Sequence, residues 1–401
     1  MPRPRGHLRV LFSSRVLLNL EQADRVYQES YQAALAKGEE PSAARLIAVA
    51  RYNDYVTCDG EFQGQDYDPA VKGRRFGKGP LYDLAMALHS LNKSSDEPLV
   101  EIGLSAKDEA RSGIVIFRNL DLMEIGAALN YRLITCGNPI TEAFHNSFGT
   151  DLFLSRNPQD VQYARDHGIA SALMHFPDNW EYDHSTRQGP LKLMVDGDGV
   201  AWGDRAEQRF RASVEKAGNM QQGLDEYISL ETDDFDQPIE SGPFTAVLEK
   251  ISRLNDMFPR GQTPFEVSLL TARGGRASTR ALTTLIEHDI ALNGFAEFKG
   301  GATKADGLKA HDPDVYFDDQ QGHLSEGRLC PAGLVFYVSD SPLHPKSAKP
   351  EAVVTRIVEE ESVTRRSYHV PLAAGRHQSA SPLSFQTIGE VVERIQQQHS
   401  S

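Results

Sequence analysis

Two aspartates one residue apart, Asp196 and Asp198, close the apolar run of the segment LMVDGDGVAW. Alternate residues of an extended strand point to opposite sides, but Gly197 and Gly199 permit a sharp turn that brings both carboxylates near one centre. Like charges buried that close need a cation. Mg²⁺ suits them, because it prefers hard oxygen ligands, usually takes one or two protein carboxylates, and keeps waters or phosphate oxygens in its remaining positions. Alone, the string also fits a solvated turn or a calcium-type loop. Further residues follow in order along the chain. Thr271 in LLTARGG offers a hydroxyl, Lys304 in GGATKAD a positive charge, and Asp318 and Asp319 in VYFDDQ two more carboxylates. Taken singly these read as a strand-end threonine, a loop lysine and an Asx-turn pair. Only the ordered set points to one shared site.

The elements that must position them alternate. LKLMVDGDG, FEVSLLTARGG, FAEFKGGATK and PDVYFDDQQG are β-rich runs ending in polar or small residues, and helical patterns separate them. The clearest is STRALTTLIEHD, with Ser278 as expected N-cap and Ala281, Leu282, Leu285 and Ile286 on one face. Strands and helices in alternation predict an α/β fold with a doubly wound parallel sheet, its chemistry at the carboxyl ends of the strands. The first half keeps a similar rhythm in LRVLFSSRV, LVEIGLSAKDEARSG, YRLITCGNP and TDLFLSRNPQDV, with later tips about 30 and 50 residues past the second, as in the second half. Two related Rossmann-like units are therefore expected, and in the first the acidic positions read Ser, Ala and Asn or Arg. NPQDVQYARDHG should be a helix with Asn157 as N-cap, Pro158 first, Asp160 in the first turn and Gly168 past the end.

The expected organisation is a degenerate α/β unit over residues 1–185, a catalytic unit over 186–345 with a small helical cap inserted at about 203–262, and an extension over 346–401. Within the extension, FQTIGEVVERIQQQHSS reads as an amphipathic helix. Residues 52–98 give no assignable pattern.

Composition narrows the partners. A net charge of -14 over 401 residues disfavours a nucleic-acid polymer, which needs a basic surface, and a small anionic substrate would need a cation or local Lys and Arg. No apolar run is long enough for a membrane span, and the N-terminus lacks a secretory pattern. Three widely spaced cysteines, Cys58, Cys136 and Cys330, form neither a disulfide framework nor a CxxC metal pair, which fits a reduced, cytoplasmic compartment. A homo-oligomer is compatible with all of this.

The set Asp-x-Asp, Thr, Lys, Asp-Asp resembles the four motifs of the haloacid dehalogenase (HAD) superfamily of phosphatases. With SSRVLLNLEQ, ITCGNPI, DLFLSRNPQDVQYARDHGIA, VDGDGV, TARGG and VYFDDQQGH, the chain from about Arg9 to about Pro331 is similar to the cytosolic 5'-nucleotidase type I family. The resemblance implies an HAD-like fold and a Mg²⁺-dependent hydrolase whose substrate is a nucleoside 5'-monophosphate. It implies Asp196 as nucleophile forming an aspartyl-phosphate, Asp198 as general acid and then base, Thr271 on a phosphoryl oxygen and Lys304 neutralising charge. The implied metal positions are Asp196, the backbone carbonyl of Asp198 and Asp319, with Asp318 beside them.

Other features carry less. Arg273 and Arg276 could reach phosphate at a helix start, and Asn138 in TCGNPI could touch base or ribose if the two halves face each other across a cleft. The acidic run ETDDFDQ (residues 231–237) reads as a solvated face, His175 and His184 as ordinary histidines without metal-ligand spacing, and GGATK lacks the ending of a phosphate-binding Walker loop. Two alternatives stay open: the same machinery acting on a sugar phosphate or other phosphomonoester, and a non-catalytic nucleotide-binding regulator working through the first half.

Overall fold

The computed structural model describes residues 7–176, 189–300, 302–326 and 330–345. Its strands, in chain order, are β1 (Leu8–Ser13), the short antiparallel pair β2 (Tyr67–Asp68) and β3 (Gly73–Arg74), β4 (Val100–Ala106), β5 (Leu129–Ile134), β6 (Leu152–Ser155) and β7 (Ala170–His175) in the first half. The second half supplies β8 (Leu191–Val195), β9 (Phe265–Thr271), β10 (Ala296–Phe298), β11 (Val315–Asp318) and β12 (Ala332–Leu334). Ten of these make one sheet in the order β10-β9-β8-β11-β12-β7-β6-β1-β4-β5. The central strands are apolar on both faces: Val10, Leu11 and Phe12 of β1 and Val267, Leu269 and Leu270 of β9 are all buried. That is the expected state of parallel strands covered by helices on either side.

Each half has the same strand order. Its first strand is central, its second and third lie on one side, and its fourth and fifth on the other. The halves join through their fifth strands, which run antiparallel, pairing Ala332 with His175 and Leu334 with Leu173. Because every other pairing in this sheet is parallel, the carboxyl ends of the two halves lie at opposite edges. Asn138, just beyond β5, therefore belongs to the edge away from Asp196. Seven strand spacings of about 4.8 Å, roughly 34 Å, also separate β5 from β8. The expectation of a cleft between facing halves is corrected by this antiparallel joint.

Register relates the halves residue by residue. Val195 pairs with Leu269 and Phe317, and Phe12 with Leu104 and Leu154. Matching these triples sets Ser13 and Arg15 at the places of Asp196 and Asp198, Ala106 and Asp108 at those of Thr271 and Arg273, and Ser155 and Arg156 at those of Asp318 and Asp319. The backbone bonds agree: Cys136 N donates to Asp108 O at 3.2 Å as Gly300 N does to Arg273 O at 3.2 Å.

The helix Pro158–Asp166 starts as its sequence predicts, with the Asn157 side chain accepting from Gln159 N and Asp160 N and Gly168 at φ +75° beyond the end. The helix Ala277–Glu287 differs. Arg276 is its N-cap, and Ser278 lies in its first turn with Oγ donating to Gly275 O at 2.7 Å. The unassigned stretch 52–98 contains the end of the helix Pro41–Thr57, the β2–β3 pair and the helix Tyr82–Ser90, whose Leu84, Ala85 and Leu88 are buried. Residues 208–230 form a separate compact unit of helical segments, whereas Val247, Leu248, Ile251 and Leu254 of the helix Thr245–Asn255 belong to the main core. No helix among the described residues is long and apolar enough to cross a membrane. His184 and the expected C-terminal helix lie outside the described residues.

Candidate active site

Asp196 follows β8 directly, its N–H donating to Phe317 O at 2.8 Å, and the chain then turns through Gly197–Ala201. Both glycines are required. A Cβ on Gly197 would stand 2.3 Å from the Trp202 ring, and Gly199 has φ +73° with Asp319 Oδ2 2.8 Å from where a Cβ would be. This turn lets the loop approach the tip of β11, so Asp196 and the pair Asp318–Asp319 meet. One oxygen from each of Asp196, Asp318 and Asp319 lies within 4.8 Å of the others.

Lys304 is fully buried among them. Its Nζ is 2.6 Å from Asp318 Oδ2 and 2.9 Å from Asp196 Oδ1. Burial lowers the proton affinity of the amine, but Asp196 and Asp318 outweigh it and hold Lys304 firmly charged. The two carboxylates divide unequally. Burial pushes the Asp196 carboxyl up to about 6, with Lys304 pulling it down and Asp318 pushing it further. For Asp318 burial also raises the value, yet Lys304 and His323 hold it well below the usual carboxylate range. Asp318 is besides saturated with donors: Lys304 and the Tyr316 hydroxyl on Oδ2, Gln320 N on Oδ1 at 2.8 Å, and His323 Nδ1 within 3.3 Å.

Asp319 differs from its neighbour. The Tyr337 hydroxyl donates to Oδ2, but Oδ1 is buried with no hydrogen-bond partner. Burial, then Asp318 and Asp196, push its carboxyl well above the ordinary value. Asp196 Oδ1 has the Lys304 ammonium 2.9 Å away as its partner. One orphaned buried carboxylate oxygen, on Asp319, beside the carboxylates of Asp196 and Asp318 forms a hard, anionic donor set, which a divalent cation fits.

Asp198 is held elsewhere. Arg273 grips it with Nε on Oδ2 at 2.7 Å and Nη2 on Oδ1 at 2.9 Å, and Trp202 Nε1 donates to Oδ1 at 3.0 Å. Arg273 is itself anchored by Glu231, whose other oxygen takes Arg280, both at 2.7 Å. Glu231 is fully buried, so the solvated reading of ETDDFDQ is corrected at its first residue; Asp233, Phe235, Asp236 and Gln237 are exposed. No local pattern marks this ion-pair chain: Arg273 lies in the loop before the helix that carries Arg280, and their shared partner sits 42 residues before Arg273. Thr271 is buried at the end of β9, its Oγ1 accepting from Arg273 N at 3.3 Å. Arg273 is thus a clamp on Asp198, and Arg276 is exposed at its helix cap. The structure brings Asp196, Lys304, Asp318 and Asp319 together, with Asp198 in the turn that follows Asp196 and Thr271 at the end of the adjacent strand β9, and leaves Asn138 at the far edge.

A buried lysine among carboxylates at the carboxyl edge of a parallel sheet is an arrangement suited to phosphoryl transfer, which depends on positioning and charge neutralisation. The 5'-nucleotidase family model matches residues 1–341. The chain belongs to the 5'-nucleotidase family, whose members are phosphomonoester hydrolases. It is 25% identical over 329 residues to human cytosolic 5'-nucleotidase 1B, a match covering 80% of this chain and 47% of the relative, so the chain spans about half the length of that curated relative. No solved structure matches the chain.

Proposed function

We propose that the protein hydrolyses nucleoside 5'-monophosphates to nucleoside and phosphate through Asp196. The observation that carries this is the buried meeting of Asp196, Lys304, Asp318 and Asp319 within a chain of the 5'-nucleotidase family. In this reading Asp196 attacks phosphorus and forms an aspartyl-phosphate while the bond to the ribose oxygen breaks, dividing one displacement into two. Lys304, held by Asp318, faces the nucleophile with its charge fixed and stabilises the negative charge that develops. The Thr271 hydroxyl and neighbouring N–H groups orient a phosphoryl oxygen. Asp198 delivers a proton to the leaving oxygen and then takes one from the attacking water. Since Arg273 and Trp202 occupy both Asp198 oxygens, that delivery requires Arg273 to let go. The residues fitted to hold Mg²⁺ are Asp196 and Asp319, with the Asp198 carbonyl; once bound, the ion would neutralise phosphate oxygens. A cytoplasmic setting follows from the same reading.

A panel of phosphate esters at saturating Mg²⁺ tests it. Nucleoside 5'-monophosphates should exceed sugar phosphates in kcat/KM by at least about a hundredfold. Equal turnover of the two classes would leave a general phosphomonoesterase, and binding of a nucleotide with no phosphate release, unchanged by Asp196→Asn, would leave a regulator.

A further inference from the structure

The first half presents, at its own carboxyl edge, charged side chains that the reaction at Asp196 does not use. The pair Asp198–Arg273 has its counterpart there with the signs exchanged, Arg15 and Asp108. Arg15 approaches Asp24 at 3.0 Å and also interacts electrostatically with Tyr52 and Asp108. Lys107 and Arg156 stand at the tips of β4 and β6, their side chains about one-third exposed, 2.9 Å from Asp160 and 3.7 Å from Glu21. Arg15 acts on Asp160 as well, and Arg156 on Asp24, so the three cations serve one neighbourhood. The helices Glu21–Ala36 and Pro41–Thr57, which leave β1 and pack on each other, bring Asp24 and Tyr52 to this edge; the Tyr52 hydroxyl donates to Asp108 Oδ1 at 3.3 Å.

A second observation is independent of the charges. Ser13 Oγ and Thr135 Oγ1, at the ends of β1 and β5, are buried at 9% and 5% residue exposure and have no hydrogen-bond partner. Leaving a buried hydroxyl unpaired is costly, and buried polar atoms without partners mark places where a ligand or water completes the structure. The place is also the one the topology favours: β1 lies between β4 and β6, where the strand order reverses, and open α/β sheets take ligands beyond the carboxyl ends at that switch point.

The chemistry differs from that of the other edge. Ser13 and Arg156 replace Asp196 and Asp319, so the carboxylates fitted to a cation give way to a hydroxyl and a guanidinium. Two guanidiniums, an ammonium and two unpaired hydroxyls suit a tetrahedral oxyanion, and arginine forks match phosphate oxygens in pairs. We propose that this edge is a second ligand site, taking a small phosphorylated molecule directly on Arg15, Lys107 and Arg156 without a metal. The acids Asp24 and Asp160 preorganise those cations and can accept from hydroxyls of the same ligand.

The test is calorimetric titration of the full chain with pyrophosphate in excess EDTA, which separates this edge from any metal-dependent binding at Asp196. The expected result is one site per chain, retained in Asp196→Asn and weakened about tenfold or more by Arg156→Ala and by Thr135→Val. Arg156 is partly exposed and Thr135→Val keeps the side-chain shape, so both variants should fold, which circular dichroism checks. No binding at millimolar pyrophosphate overturns the proposal. So does binding that disappears in Asp196→Asn, or that is indifferent to both Arg156→Ala and Thr135→Val.

Discussion

At the tip of β8 the chain reads Asp, Gly, Asp, with Asp196 on a buried lysine and Asp198 gripped by Arg273; at the tip of β1 the matching turn reads Ser13, Ser14, Arg15, and its cation pairs with Asp24. The strand order is the same in the two halves, and so is the backbone bond that ties the second tip to the third. What differs is a handful of side chains at the edge. The backbone therefore fixes where chemistry can occur, and the residues at six or so positions decide whether carboxylates or cations are presented there.

The largest effect that would break this contrast concerns Asp196, the nucleophile of the proposed mechanism. Asp196→Asn should reduce turnover by on the order of 10⁴-fold or more in steady-state phosphate release. Changing Ser155 to Ala, at the position equivalent to Asp318, should leave turnover as it is. Next in size, Lys304→Met removes the cation between two buried carboxylates, and the loss of one partner of a buried ion pair costs about 3–5 kcal/mol. Urea unfolding should show that loss. A variant as stable as the parent would mean that Asp196 and Asp318 are already neutral without the lysine.

Arg273→Lys keeps a charge but loses the paired grip on Asp198. Its kcat should fall about tenfold with KM little changed, because positioning of Asp198, the proposed proton donor, is impaired while substrate contacts remain. The smallest effect belongs to the first half. Burial pushes the Asp108 carboxyl from 3.8 up to about 6, with Ser112, Tyr52 and Arg15 pulling the other way. The folded chain then holds this proton more tightly than the unfolded one, so the stability it brings is complete below pH 3.8 and is lost as pH rises through 6. Asp108→Asn should accordingly be more stable than the parent at pH 7, by about 1–3 kcal/mol, with the difference vanishing near pH 4. Denaturation midpoints across that range measure it.

The four tips of the second half were legible because each is a short apolar run stopped by a polar residue of a definite type, and the Asn157 cap because its signal lies within four residues. The joint was not. β7 and β12 are far apart in sequence, and the pairing that sets one half against the other leaves no local pattern, so the side on which Asn138 falls could not be read. Glu231 was missed for a related reason. An acidic run looks solvated until the arginines that bury its first member, 42 and 49 residues onward, fold against it. Ser278 lies two residues past the actual cap, Arg276, a shift common at helix ends.

The proposed mechanism requires a covalent intermediate at Asp196, on one edge only of a duplicated sheet. Acid-quenching the enzyme during turnover of a nucleoside 5'-monophosphate, reducing with borohydride and mapping the peptides by mass spectrometry tests this directly. Aspartyl-phosphate reduces to homoserine, and the account predicts that modification at residue 196 and at no other carboxylate. Homoserine at another position, or full turnover with an unmodified Asp196 peptide under conditions that trap an acyl-phosphate standard, would contradict it.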